Sequence, residues 1–209
     1  MLTVNAPMAT SMESSTFYSC IKLRNVNMPK LSLAPSYAFR GCNLTGDIHF
    51  DALTTAGTYG FYNAAINCIS SAAFPKLTTL SADAFRACYV VSYAYLPATQ
   101  NIGSRAFYGL YNMAWASFPA ASYFYSSAFY SCNRLMSLYL LGSSYATLQN
   151  SMVFSQTALN LSTYTGAFGS IFVRASMLAG YIARSYWSYY SSRFVGLTDE
   201  EIAALEEAT

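Results

Sequence analysis

Charge is scarce in this chain: 10% of its 209 residues are Asp, Glu, Lys or Arg, against 54% apolar residues and a single histidine. His49 has no second imidazole with which to share a metal, and any Ser-His-Asp relay would have to be built on it with Asp47 as the orienting carboxylate. Set between Ile48 and Phe50, His49 reads instead as an exposed strand residue. No glycine-rich phosphate loop, no Cys-x-x-Cys and no Glu-x-x-His spacing is present. The ingredients of catalysis are missing, and the sequence predicts a non-enzymatic protein without cofactor or metal.

Long apolar runs are missing too. No charged residue stands between Arg134 and Arg174, yet Ser143, Ser144, Gln149, Asn150, Ser155, Gln156 and Asn160 interrupt that stretch. No window of roughly 18–20 residues is continuously apolar, so no membrane span is expected. The N-terminus, MLTVNAPMATSMESSTF, lacks a basic leader followed by an apolar run, so no signal peptide is visible. Either the chain is a mature piece of a longer secreted protein, or it leaves its cell by another route.

What the chain has in plenty is aromatic residues, 17% of the total, and phenylalanine recurs along it at a fixed interval. Phe17, Phe39, Phe61, Phe85, Phe107, Phe129 and, more loosely, Phe154 follow one another in steps of 22, 22, 24, 22, 22 and 25 residues. Such a period marks a solenoid, in which each repeat is one coil that cannot bury its apolar side alone. Other columns follow from the phenylalanines. One residue earlier stand Thr16, Ala38, Gly60, Ala84, Ala106 and Ala128; eleven later stand Met28, Phe50, Leu96, Phe118 and Leu140. Two inserted residues in the third coil bring Phe74 to that slot, and Pro29, Pro75, Pro97 and Pro119 follow it directly.

The approach to that proline alternates. Val26/Met28, Ile48/Phe50, Ala72/Phe74, Ala94/Leu96, Ala116/Phe118 and Leu138/Leu140 form the apolar phase, between polar or amphipathic neighbours. Period two over five residues predicts a short strand with one buried face, ended by a proline that cannot donate to a ladder. One such strand per coil, stacked at about 4.8 Å, makes a parallel sheet. The Ala-Phe-x-x-Cys segment then forms a turn or short helix on the opposite wall, with Phe pointing in.

The segments SYAFRGCNL, SADAFRACYVV, IGSRAFYGL and SSAFYSCNRL resemble the BspA-like leucine-rich repeat, found in surface proteins of host-associated bacteria and some of their phages. The resemblance covers roughly residues 12–160. The stretch IFVRASMLAGYIARSYWSYYSSRFVGL is similar to the cap that often ends such arrays, matched by Tyr181, Trp187, Ser188 and Tyr190, with Arg174 where the cap usually has proline. The resemblance implies an α/β leucine-rich-repeat solenoid with a C-terminal helical cap, and a role in adhesion or host interaction without catalysis. The expected layout is a solenoid of about six coils over 1–160, a cap over 161–197 and an acidic helix over 198–209.

Cys20, Cys42, Cys88 and Cys132 share one column with Ala64 and Leu110. A slot that accepts Ala and Leu is an apolar position, and free cysteine packs as a small hydrophobe. Cys68 falls outside the column and is expected to face the core as well. The eleven basic residues are scattered about one per coil, which does not suit nucleic acid. Five of the nine acids crowd the last eleven residues, leaving a body of net +7 and a tail of −5. That tail opens with a capping box, Thr198 and Glu201, and its Ile202, Ala203 and Leu205 are expected to rest on the cap or engage a partner.

Two outward columns remain on the strands. One holds Asn25, Asp47, Ser71, Tyr93, Trp115 and Ser137; the other holds Asn27, His49, Ala73, Tyr95, Ser117 and Tyr139. Tyr93, Tyr95, Trp115, Ser117 and Tyr139 are the candidate ligand-binding residues, because grouped exposed aromatics mark interaction surfaces. The competing reading is cross-strand pairing that only stabilises the sheet. A second row, directly after each Phe, reads Tyr18, Arg40, Tyr62, Arg86, Tyr108 and Tyr130, a sequence suited to cation–π contact. The expected partner is a protein or carbohydrate ligand outside the cell or at its surface. The alternative is a structural or receptor-binding part of a phage particle.

Overall fold

The computed structural model describes residues 2–160 and 168–207, and over them the chain winds as a solenoid with parallel strands on two walls. In chain order the strands are β1 (Leu2–Asn5), β2 (Leu23–Asn27), β3 (Leu33–Ala34), β4 (Ile48–His49), β5 (Thr55–Ala56), β6 (Ile69–Ser70), β7 (Thr79–Leu80) and β8 (Tyr93–Tyr95). Then come β9 (Asn101–Ile102), β10 (Trp115–Ser117), β11 (Tyr123–Phe124), β12 (Ser137–Leu140), β13 (Thr147–Leu148), β14 (Ser170–Arg174) and β15 (Phe194–Leu197). The first wall carries β1-β2-β4 and then β6-β8-β10-β12-β14-β15; the second carries β3-β5-β7-β9-β11-β13. Among the described residues two short α-helices follow the repeats, α1 (Leu178–Ala183) and α2 (Asp199–Glu207), with 3-10 helical turns at Ala175–Met177 and Trp187–Arg193. The predicted start of the cap, at 161, lies outside the described residues.

The first wall follows the predicted alternation. Val26, Ala94, Ala116 and Leu138 face inward with no exposure, and their neighbours face out. The third coil departs from it. Ile69 pairs with Ala94 and Ser70 with Tyr95, so Cys68 and Ser70, not Ser71 and Ala73, hold its outward slots. The two extra residues come after the strand. Ala73 and Phe74 both donate their N–H to the Ser70 carbonyl, a tight turn that leaves Ala72 exposed and returns Phe74 to the core. The aliphatic Ile69 wins the buried slot over Ala72 because it removes more apolar surface from water.

On the opposite side the turn, one of the two forms expected there, is what the described residues adopt. The coils of Phe39, Phe61, Phe85 and Phe107 each place two residues in the left-handed region, one two positions before Phe and one two after it: Tyr37 and Gly41, Tyr59 and Asn63, Asp83 and Ala87, Arg105 and Gly109. Glycine takes this conformation freely; the others are strained by it. The strain is offset by hydrogen bonds. Phe39, Tyr37 and Gly41 donate to carbonyls of the next coil (Gly60, Thr58 and Tyr62) at 2.7–3.1 Å, while Ala38, Arg40 and Cys42 donate within their own coil. The turns thus form a third ladder that seals coil to coil.

Phenylalanine fills the interior as predicted. Rings of Phe17, Phe39, Phe61, Phe85, Phe107, Phe129 and Phe154 stack in one file with centroids 5.0–6.0 Å apart. Phe50 and Phe74 of the second file meet them edge-on at 5.3–5.8 Å, a favoured aromatic geometry. The cysteine column lies beside them, and all five thiols are free. Cys42, Cys88 and Cys132 donate to the carbonyls of Phe17, Phe61 and Phe107 at 2.9–3.0 Å. Burial pushes these three thiols up to about 12, so they remain protonated and inert.

Among the described residues one charge lies inside. Asp83 is 1% exposed, and Arg105 grips both its oxygens at 2.8 and 2.9 Å while Arg86 adds a third bond at 3.1 Å. Burial alone raises the Asp83 pKa, but the two guanidiniums hold it net below the ordinary 3.8. A carboxyl whose pKa falls on folding adds stability above its unfolded value and loses it as pH drops through the folded one. Asp83→Asn removes that titration. The wild-type advantage over this variant, read from melting temperatures, should shrink below about pH 4; an advantage that grows in acid would contradict the pairing.

The cap closes the last coils. Tyr181 Oη accepts the Ala146 N–H at 3.0 Å, Trp187 Nε1 donates to the Ala146 carbonyl at 2.8 Å, and Tyr190 Oη donates to Ser151 O at 2.7 Å. Arg174 takes the place of proline by bridging: Nε donates to Leu141 O at 2.8 Å and Nη1 pairs with Asp199 at 2.6 Å. That ion pair is where the acidic tail meets the basic body. The capping box forms, with Glu201 Oε2 accepting from Thr198 N at 2.8 Å and Thr198 Oγ1 from Glu201 N at 3.2 Å. Of the three apolar residues expected to rest on the cap, only Ile202 is buried; Ala203 and Leu205 are exposed, since so short a helix presents one narrow face.

Candidate binding face

The parallel register of β8, β10 and β12 places the candidate residues. Trp115 lies opposite Tyr93 and Ser137, and Ser117 opposite Tyr95 and Tyr139. Strand spacing on a parallel sheet is close to ring-stacking distance. Tyr93 and Trp115 accordingly stack nearly parallel, 4 degrees apart with centroids at 4.7 Å, and Tyr139 meets Trp115 edge-on at 6.5 Å. The structure therefore brings Tyr93, Trp115 and Tyr139 together as one cluster.

Phe172 extends it. This residue of β14 stacks on Tyr139 at 4.7 Å, a contact that the phenylalanine period hides because Phe172 lies beyond the regular coils. Cys68 is the other addition. It lies on the outward column beside Tyr93 and hydrogen-bonds its hydroxyl, and this bond, ahead of burial, raises the Tyr93 pKa. The expectation that Cys68 faces the core is thereby corrected: the third-coil shift turns it outward.

Stacking changes what the face offers. Tyr93, Trp115 and Tyr139 are half-buried, and each spends one ring face on a stacked neighbour, Tyr93 and Trp115 on each other and Tyr139 on Phe172. Tyr95 differs. It is 37% exposed and flanked in its own column by Ser70 and Ser117, and no ring among the described residues stacks on it. At the other end of this wall, Asn27 Nδ2 donates to Asn5 Oδ1 at 2.8 Å and Asn25 Nδ2 to Thr3 Oγ1 at 3.1 Å. Asp47 and His49 are both exposed there and form no ion pair with one another. The wall is polar at one end and aromatic at the other.

The predicted tyrosine–arginine row also forms. The Arg40 guanidinium lies 5.1 Å from the Tyr18 ring and 4.9 Å from Tyr62; Arg86 lies 5.9 Å from Tyr62 and 4.6 Å from Tyr108, which stacks on Tyr130 at 5.0 Å. Among the described residues no helix is long and apolar enough to cross a membrane.

No curated protein sequence matches the chain. Among solved structures it is similar to a leucine-rich repeat protein from Bacteroides ovatus ATCC 8483, at 13% identity and a TM-score of 0.49. The match covers 82% of this chain and 63% of that one. A model of the BspA type leucine rich repeat region, in six copies, matches residues 10–136 and 54–173. Repeat arrays of this type are protein-interaction scaffolds. With most of its length matched by that model, the chain belongs to the BspA type leucine-rich repeat family.

Proposed function

We propose that the aromatic end of the first wall is the recognition surface of a non-catalytic adhesion module acting outside the cell or at its surface. The surface comprises Tyr93, Tyr95, Trp115, Ser117 and Tyr139, continued by Phe172. The single observation that carries the reading is the Tyr93–Trp115 stack. Rings fixed against each other have little rotamer freedom to lose on binding, and their hydroxyls supply directed hydrogen bonds. With one face of each ring spent on a neighbour, the edges and hydroxyls suit a protein partner better than a stacked sugar. Glycan is a second reading with its own support, since Tyr95 lies between two serines and stacks on no ring among the described residues.

Arrays of host-surface proteins and of glycans probed with wild type, Trp115→Ala and Tyr95→Ala separate these readings. Trp115→Ala should leave stability within about 1 kcal/mol while lowering affinity for the captured protein by about tenfold or more. Loss confined to Tyr95→Ala, on a glycan, would favour the sugar reading. Equal binding by all three proteins would remove this face from consideration.

A further inference from the structure

We infer that the tyrosine–arginine row on the turn wall is a second binding site, one that takes the carboxylates of an acidic polysaccharide. The argument starts at Arg40. Its guanidinium is held between the rings of Tyr18 and Tyr62, with Tyr37 as a third wall at 5.8 Å. The side chain makes no hydrogen bond or ion pair with any described residue, so all its N–H donors are unspent. A planar guanidinium already fixed by stacking offers its fork to a carboxylate at reduced entropic cost.

Arg86 repeats the arrangement two coils further on, between Tyr62 and Tyr108, with only one nitrogen engaged by Asp83. Two coils put the guanidiniums on the order of 10 Å apart in a straight row. A polymer in which a uronate alternates with a neutral sugar, as in hyaluronate, carries one carboxylate per disaccharide, a spacing of the same order. Ser19 and Asn63, in the adjoining column at left-handed turns, are exposed and supply a hydroxyl and an amide for sugar hydroxyls. Nucleic acid fits poorly, because the tyrosine faces on which bases would stack are already taken by the arginines. The site lies off the aromatic end of the first wall, so its failure would leave the proposed protein-recognition face untouched.

The test is binding to immobilised hyaluronate at low ionic strength, by biolayer interferometry. Wild type should bind. Arg40→Gln should weaken binding about tenfold or more, and Arg40→Lys nearly as much, because an ammonium keeps the charge but not the fork. Arg134→Gln removes an equal charge from an exposed position outside the row and should change affinity by less than about twofold. Three results would overturn the assignment: no binding by wild type, equal loss in Arg40→Gln and Arg134→Gln, or equal binding of poly-glutamate. Matching melting temperatures for the variants tie any loss to the site rather than to folding.

Discussion

Replacing Phe107 by alanine is expected to cost about 3–5 kcal/mol of stability. The side chain is wholly buried and touches a ring on every side: Phe85 at 6.0 Å, Phe129 at 5.1 Å and Phe118 at 5.6 Å. Its loss opens a cavity in the middle of the file, where neighbours fixed by three ladders cannot collapse inward. In a solenoid each coil contacts only the next, so the damage should show first in the two adjoining coils. Urea denaturation gives the magnitude. A cost below about 1 kcal/mol would mean that the ring does not plug the interior.

Trp187→Ala should be as damaging, for a different reason. Trp187 is fully buried against Phe154, Tyr181 and Phe194, with ring centroids at 5.4–5.9 Å, so truncation leaves a cavity worth about 3–5 kcal/mol. It also removes the indole N–H from the Ala146 carbonyl, an acceptor that the next coil of a longer array would have satisfied. Leaving that group dry and unpaired costs about 1–3 kcal/mol. Trp187→Phe separates the two effects, since it keeps most of the volume and loses the bond. Denaturation of both variants is the measurement. A neutral Trp187→Phe would show that the cap closes the array by packing alone.

The fold was legible where one residue type marks one environment. The phenylalanine period located the interior file, and the interchange of Cys with Ala and Leu located the packed thiols, because only a buried small slot tolerates all three. The left-handed pairs were hidden. Gly41, Asn63 and Gly109 signal that conformation, but Tyr37, Asp83 and Arg105 take it only because the inter-coil ladder compensates, and no local sequence preference reports a long-range bond. The second wall escaped because two-residue strands are too short to alternate visibly. Counting from the phenylalanines also does not say on which side of β6 the extra residues fall, which points Cys68 to the wrong face.

The Asp83–Arg105 pair carried a readable signal. Both stand two residues before a phenylalanine, one coil apart, and so had to be neighbours once the period was accepted. The same logic put Tyr93 over Trp115 and Arg40 between Tyr18 and Tyr62. What it did not give was the direction of the rings. Stacking along the array turns aromatic faces toward one another and edges toward the partner, and this orientation, set by strand spacing, shifts the proposed ligand toward protein on the first wall.

Native-state hydrogen exchange tests the central claim, that coil seals coil through the turn ladder around the phenylalanines. The amides of Phe39, Phe61, Phe85 and Phe107 donate to Gly60, Ala84, Ala106 and Ala128 at 2.7–2.9 Å beneath a fully buried ring. They should therefore exchange among the slowest in the chain, through opening of the array rather than local fraying. Exchange of these four amides as fast as that of the exposed turn residues would contradict the account.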